Sequence, residues 1–219
     1  VGPTELHAII GPNGAGKTTL ISQLVGELAS DAGSIEFDGR DITGFATHRR
    51  ARLGLSRSYQ ITSIFPEFTC LENVALAAQA HDGHSFGIWQ PALRQQQLTR
   101  PAGQALEDAG LGSRSADLAS ALAHGERRQL ELAMALVSKP KLLLLDEPTA
   151  NLDLRHQVDT LELVRGLTRE RGLAVLAAVH DLQLAALFCD RVVLLDRGRI
   201  VDQGPPEAVL TAPLLLHTF

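Results

Sequence analysis

Apolar and polar positions along the chain follow two periods. Short apolar runs of strand type form a first block at residues 5–10, 34–38 and 55–59. A second block lies at residues 141–146, 173–179, 191–196 and 199–203. Leu142 to Leu145 is continuously apolar, the pattern of a parallel strand covered on both faces. Arg197-Gly198, between the last two runs, predicts a hairpin turn. Helical spacing follows the first run, at Leu20, Ile21, Leu24, Val25 and Leu28. Between the blocks, residues 62–138 read as mainly helical, with helical stretches at Leu71–Ala80, Ala102–Ala109 and Glu126–Val137. Gly83–Pro101, with its Gly, Pro and Gln95–Gln97 run, reads as loop mixed with short helix. The pattern predicts one domain: an α/β core from residues 1–60 and 139–219, interrupted by a helical lobe over 61–138. No internal repeat is visible.

Composition narrows the partners. The 219 residues are 45% hydrophobic and 21% charged, an ordinary globular balance, with net charge -5. That charge argues against a broad phosphate-backbone surface, so no nucleic-acid partner is expected. The longest apolar stretch, Leu173–Phe188, is broken by His180, Asp181 and Gln183, so a membrane role needs a partner. Cys70 and Cys189 lie in apolar helical stretches and read as buried free thiols of a reducing compartment. Val1 stands almost directly before the first run, and the chain reads as lacking N-terminal strands.

The most specific motif is Gly11-Pro12-Asn13-Gly14-Ala15-Gly16-Lys17-Thr18, followed by Thr19. It fits the phosphate-loop pattern G-x-x-x-x-G-K-[ST], with a strand before it and a helix after it. Glycines let backbone N–H groups turn inward, and the helix adds its positive end to that anion cradle. Lys17 would reach the terminal phosphates, and the Thr18 hydroxyl would ligate Mg²⁺.

The second motif is Leu142–Thr149, an apolar strand ending in Asp146 and Glu147. Asp146, beside the phosphate loop, suits an outer or direct Mg²⁺ contact, and Glu147 could polarise an attacking water.

These motifs, with Asn151-Leu152-Asp153, His180 and the stretch Leu122–Gln129, together resemble the nucleotide-binding subunit of ABC transporters over nearly the whole chain. The resemblance implies a P-loop NTPase, RecA-like core with a mostly parallel sheet and an inserted α-helical lobe. It implies ATP and Mg²⁺ as ligands. Gln60 matches the Q-loop glutamine that senses Mg²⁺ and the γ-phosphate and faces the membrane subunit. Asp153 matches the D-loop aspartate at a dimer interface, and His180 the switch histidine that touches the γ-phosphate. Ala123-His124-Gly125-Glu126 occupies the signature segment, which binds the nucleotide held by the other subunit. Ala123 stands where the family has serine and cannot hydrogen-bond a γ-phosphate oxygen, a loss of about 1.5–3 kcal/mol. The family's adenine-stacking aromatic, which lies upstream of the phosphate loop, has no counterpart here. Tyr59 and Trp89 are not in the matching place.

The resemblance further implies a homodimer or heterodimer, transmembrane permease subunits, an indirectly coupled substrate-binding protein, and a peripheral position on the cytoplasmic face of the cell membrane. The first two-thirds are similar to importers of branched-chain amino acids or urea. The last third is more similar to importers of iron–siderophore, haem or cobalamin. The expectation falls on the amino-acid or urea side. A non-transport ABC ATPase, such as an iron–sulfur assembly ATPase, and a cassette that binds ATP without hydrolysing it stay open as alternatives.

Overall fold

A computed structural model describes residues 1–58, 64–82, 96–150 and 152–219. Among the described residues six strands form one sheet in the order β4-β5-β6-β1-β7-β8. They are β1 (Leu6–Ile10), β4 (Leu55–Ser58), β5 (Leu142–Asp146), β6 (Ala174–Ala178), β7 (Arg191–Asp196) and β8 (Arg199–Gly204). All neighbours are parallel except β7 and β8, the hairpin the Arg197-Gly198 turn foretold. The short strands β2 (Glu36–Phe37) and β3 (Arg40–Asp41) pair with each other, apart from the main sheet.

Apolar alternation places side chains on both faces of this sheet. Leu143 and Leu145 of β5 join Leu6, Ala8 and Ile10 of β1 against helices α6 (Leu154–Arg171) and α7 (Leu182–Phe188). Leu144 and Ile9 face the other way, toward Ile21 and Val25 of α1 (Lys17–Val25). On this second face, α2 (Thr47–Arg52) is held by Arg50. Its buried guanidinium donates to the carbonyls of Gln23, Leu24, Thr43 and Phe45 and thereby satisfies carbonyls at the C-terminal end of α1. Helices α8 (Pro206–Val209) and α9 (Ala212–Thr218) close the chain.

A separate apolar cluster joins α3 (Cys70–Asp82), α4 (Gln96–Asp108) and α5 (His124–Leu136), through Val74, Leu98, Leu106 and Leu130. Helix α3 starts at a reciprocal cap: the Thr69 amide donates to Glu72 Oε2 at 2.6 Å, and the Glu72 amide to Thr69 Oγ1 at 3.2 Å.

The structure departs from the expected elements in two places. The run at 34–38 contributes only Glu36–Phe37, because a tight turn through Asp38 and Gly39, both at positive φ, folds it onto β3. The short helix expected within Gly83–Pro101 is present from Gln96, with Pro101 inside α4, while residues 83–95 lie outside the described residues. Packing of Leu98 and Ala102 into the helical cluster outweighs the loss of one backbone donor. Helix α6 had no counterpart among the expected elements, although Leu161, Val164 and Leu167 carry its buried stripe. Cys70 and Cys189 are buried free thiols, and burial pushes the Cys189 thiol up to about 12.

Candidate functional site

Parallel strands align their C-terminal ends, and the chemistry-bearing residues gather along that edge. Ile9 is in register with Ala178, as is Asp146. The phosphate loop therefore leaves β1 beside the ends of β5 and β6, in the crevice where open parallel sheets bind ligands.

Residues Gly11–Gly16 turn tightly between β1 and α1. A Cβ on Gly11 would lie 2.0 Å from the Leu195 carbonyl oxygen, so only glycine fits. Gly16 precedes the first residue of α1 with φ 103°, a left-handed conformation open to glycine. The Ala15 amide donates to the Pro12 carbonyl at 3.1 Å, and the Gly198 amide of the β7–β8 turn donates to the Ala15 carbonyl at 2.8 Å. Asn13, Gly14, Thr18 and Thr19 are exposed, so the cradle opens to solvent.

Lys17 is buried, its ammonium donating to the carbonyls of Gly11 at 2.7 Å and Pro12 at 3.1 Å. Burial lowers its pKa from the usual lysine value, while Glu147 and Asp146 oppose that shift. An anion in the loop would offer this ammonium a partner in place of carbonyl dipoles.

At the end of β5, the Asp146 side chain is wholly buried. Thr18 Oγ1 donates to its Oδ1 at 3.4 Å, and the Arg57 guanidinium donates to its Oδ2 at 2.8 Å. Thr18 and Asp146 thus present hard oxygens to one point at the mouth of the loop, a donor set that suits Mg²⁺ completed by phosphate oxygens. Arg57 was absent from the sequence-derived site. Only the parallel pairing of β4 with β5 brings it beside Asp146, 89 positions away in the chain.

Glu147 follows with φ 52°, a left-handed conformation unusual for glutamate and doubly so before Pro148. Its Oε1 lies 2.5 Å from His180 Nε2, at the end of β6. The next residue is anchored: the Asp181 side chain caps α7, accepting from the amides of Gln183 at 2.8 Å and Leu184 at 3.0 Å. Gln60 and Asn151 lie outside the described residues, as do Tyr59 and Trp89.

The remaining site candidates sit apart from this cluster. Ala123 precedes α5, and only half a capping box forms there. The Ala123 amide donates to Glu126 Oε2 at 2.8 Å, but the methyl side chain returns nothing. Glu126 Oε1 also accepts from Arg114 at 2.8 Å. His124 is exposed. Gly125 lies against His156 of α6, where an added Cβ would be 2.6 Å from the ring. His156 in turn bonds Asp153, which caps α6 by accepting from the His156 amide at 2.9 Å and meets its Nδ1 at 2.7 Å. Those bonds, the backbone one foremost, lower the Asp153 pKa. His156 therefore connects Gly125 with Asp153, a link that spacing alone did not signal.

Comparison with known proteins agrees with this geometry: residues 1–150 match the ABC transporter family. The chain belongs to that family. A high-affinity branched-chain amino acid transport ATP-binding protein of Pseudomonas aeruginosa is 33% identical over 98% of this chain and 86% of its own length. A hemin import ATP-binding protein of Rhodopseudomonas palustris is 38% identical over 98% of this chain and 78% of its own. Other relatives carry the names of cobalamin import and lipopolysaccharide export proteins. Among solved structures, a nucleotide-free ATP-binding cassette from an ABC transporter superposes with TM-score 0.88 at 26% identity, over 100% of this chain and 88% of that one. The chain is thus an ABC-type ATP-hydrolysing domain with the P-loop NTPase fold.

Proposed function

We propose that this ABC ATPase hydrolyses Mg²⁺-bound ATP as one half of a head-to-tail dimer, and that the dimer powers an importer. The observation that carries the reading is the gathering of phosphate loop, Asp146 and the Glu147–His180 pair along one sheet edge.

In this reading the backbone amides of residues 13–18 and the Lys17 ammonium bind the phosphates. Thr18 and Asp146 hold Mg²⁺, and Gln60 joins them by family resemblance. Bound Mg²⁺ would neutralise charge on the phosphate oxygens. Glu147 accepts a proton from the attacking water. His180 holds Glu147 in place and turns toward the γ-phosphate. The signature residues Ala123–Glu126, together with Asp153, face the nucleotide of the partner subunit.

A permease is the second partner proposed. Phe65 and Phe68 stack with ring centroids 5.4 Å apart and are 52% and 39% exposed, and Leu118 nearby is 47% exposed. This apolar patch follows directly on residues 59–63 in the chain and suits contact with another protein. Among the described residues no helix is long and apolar enough to cross a membrane. The attachment proposed is therefore peripheral, through the permease on the cytoplasmic face, with the substrate-binding protein engaged from the other side.

For the solute, branched-chain amino acids or urea are proposed, on the first two-thirds of the chain and on the amino-acid-transport relative. Haem is the second reading, favoured by the last third and by the hemin-import relative. Phosphate release by the chain reconstituted with its permease separates them. Stimulation by an amino-acid- or urea-loaded binding protein supports the first reading, and stimulation by a haem-loaded one overturns it.

A further inference from the structure

We propose that Arg57 is a positioning residue for the Mg²⁺ carboxylate of the nucleotide site. The inference rests on the Mg²⁺-ATP reading above and extends it to a residue outside every motif.

Asp146 has no exposed side-chain surface, and a carboxylate so enclosed needs partners on both oxygens. The structure divides them. Oδ2 accepts from one terminal nitrogen of Arg57 at 2.8 Å, while Oδ1 is left toward the Thr18 hydroxyl at 3.4 Å. The other terminal nitrogen of Arg57 donates to Ser22 Oγ at 3.2 Å and to the Glu27 carboxylate. Ser22 belongs to α1, the helix that starts at Lys17, and Glu27 lies just beyond its end. A single side chain, 9% exposed, thus ties β4, the Asp146 carboxylate of β5 and the phosphate-loop helix.

Three consequences follow from this geometry. The Asp146 carboxyl is held in one rotamer, with a fixed oxygen toward Thr18. Arg57 and a cation can occupy Asp146 together, because they use different oxygens. The planar fork is needed, since its two ends meet groups on different elements; a lysine ammonium is a point charge on a flexible stem. Partners that orient a metal-ligating carboxylate typically account for about 10–100-fold in metal affinity.

The test uses the full chain and the non-hydrolysable analogue AMP-PNP, titrated by calorimetry in EDTA and across a range of Mg²⁺ concentrations. In Arg57→Ala, the Mg²⁺ concentration giving half of the affinity gain should rise about 10–100-fold, with affinity in EDTA unchanged. A protein that needed Arg57 only for packing would show equal changes in both conditions. Arg57→Lys, which keeps the charge and guards against a misfolded alanine variant, should also need more Mg²⁺. Wild-type Mg²⁺ dependence in either variant overturns the proposal, and so does tighter Mg²⁺ binding, which would mark Arg57 as a competitor for Asp146. If the unsubstituted protein itself gains no affinity from Mg²⁺, the Mg²⁺ reading fails first, a result distinguishable from failure of Arg57 alone.

Discussion

His180 Nε2 lies 2.5 Å from Glu147 Oε1, and the two residues reach each other from the ends of adjacent parallel strands. The contact holds the carboxylate by its edge while its backbone sits at φ 52°. Glu147→Gln should therefore keep AMP-PNP binding and lose hydrolysis by about 10²–10⁴-fold, the usual contribution of a positioned base. His180→Ala should lower turnover with a smaller effect on binding. Phosphate release and calorimetry read both. Brisk release by the glutamine variant would remove Glu147 from the role of base.

Ala123→Ser should act twice. The hydroxyl would complete the half-formed cap at α5, adding about 0.5–2 kcal/mol to stability. In the proposed head-to-tail dimer it would also supply the donor to a phosphate oxygen that Ala123 lacks. Urea unfolding of the nucleotide-free chain reads the first effect. Sedimentation of the Glu147→Gln background with ATP reads the second. A stability gain without tighter dimers would leave Ala123 a matter of helix capping alone.

Gly11→Ala places a Cβ 2.0 Å from the Leu195 carbonyl oxygen, which is backbone and cannot swing away. The variant should lose about 1–3 kcal/mol of stability through overpacking, and nucleotide affinity with it. A denaturation midpoint equal to that of the unsubstituted protein would show that the loop tolerates the shift.

Glu72 sets an acid dependence. The Thr69 backbone bond first, and then its side-chain bond, lower the Glu72 pKa from the usual carboxylate value. Because the folded value is the lower one, the unfolded chain binds more protons as pH falls. The stabilisation is full above the unfolded pKa and disappears as pH drops through the folded one. Glu72→Gln should flatten the stability profile below about pH 4.5. Equal acid profiles for the two proteins would exclude a contribution from the cap.

Sequence reading reached furthest where local chemistry is self-contained. The phosphate loop needs glycines and a lysine at set spacing, the apolar run before Asp146 needs cover on both faces, and a turn such as Arg197-Gly198 announces itself. It fell short at α6, whose buried stripe of Leu161, Val164 and Leu167 matched no expected element, and at β2, where a turn diverted an apparent strand.

Residue order alone sufficed to name the phosphate-loop pattern, the acidic pair after β5 and the family, because those properties depend on neighbours in the chain. Arg57 beside Asp146, and His156 between Gly125 and Asp153, could not be read that way. Both contacts depend on strand register and helix packing between distant segments, and no spacing along a polypeptide records which elements will lie side by side once folded.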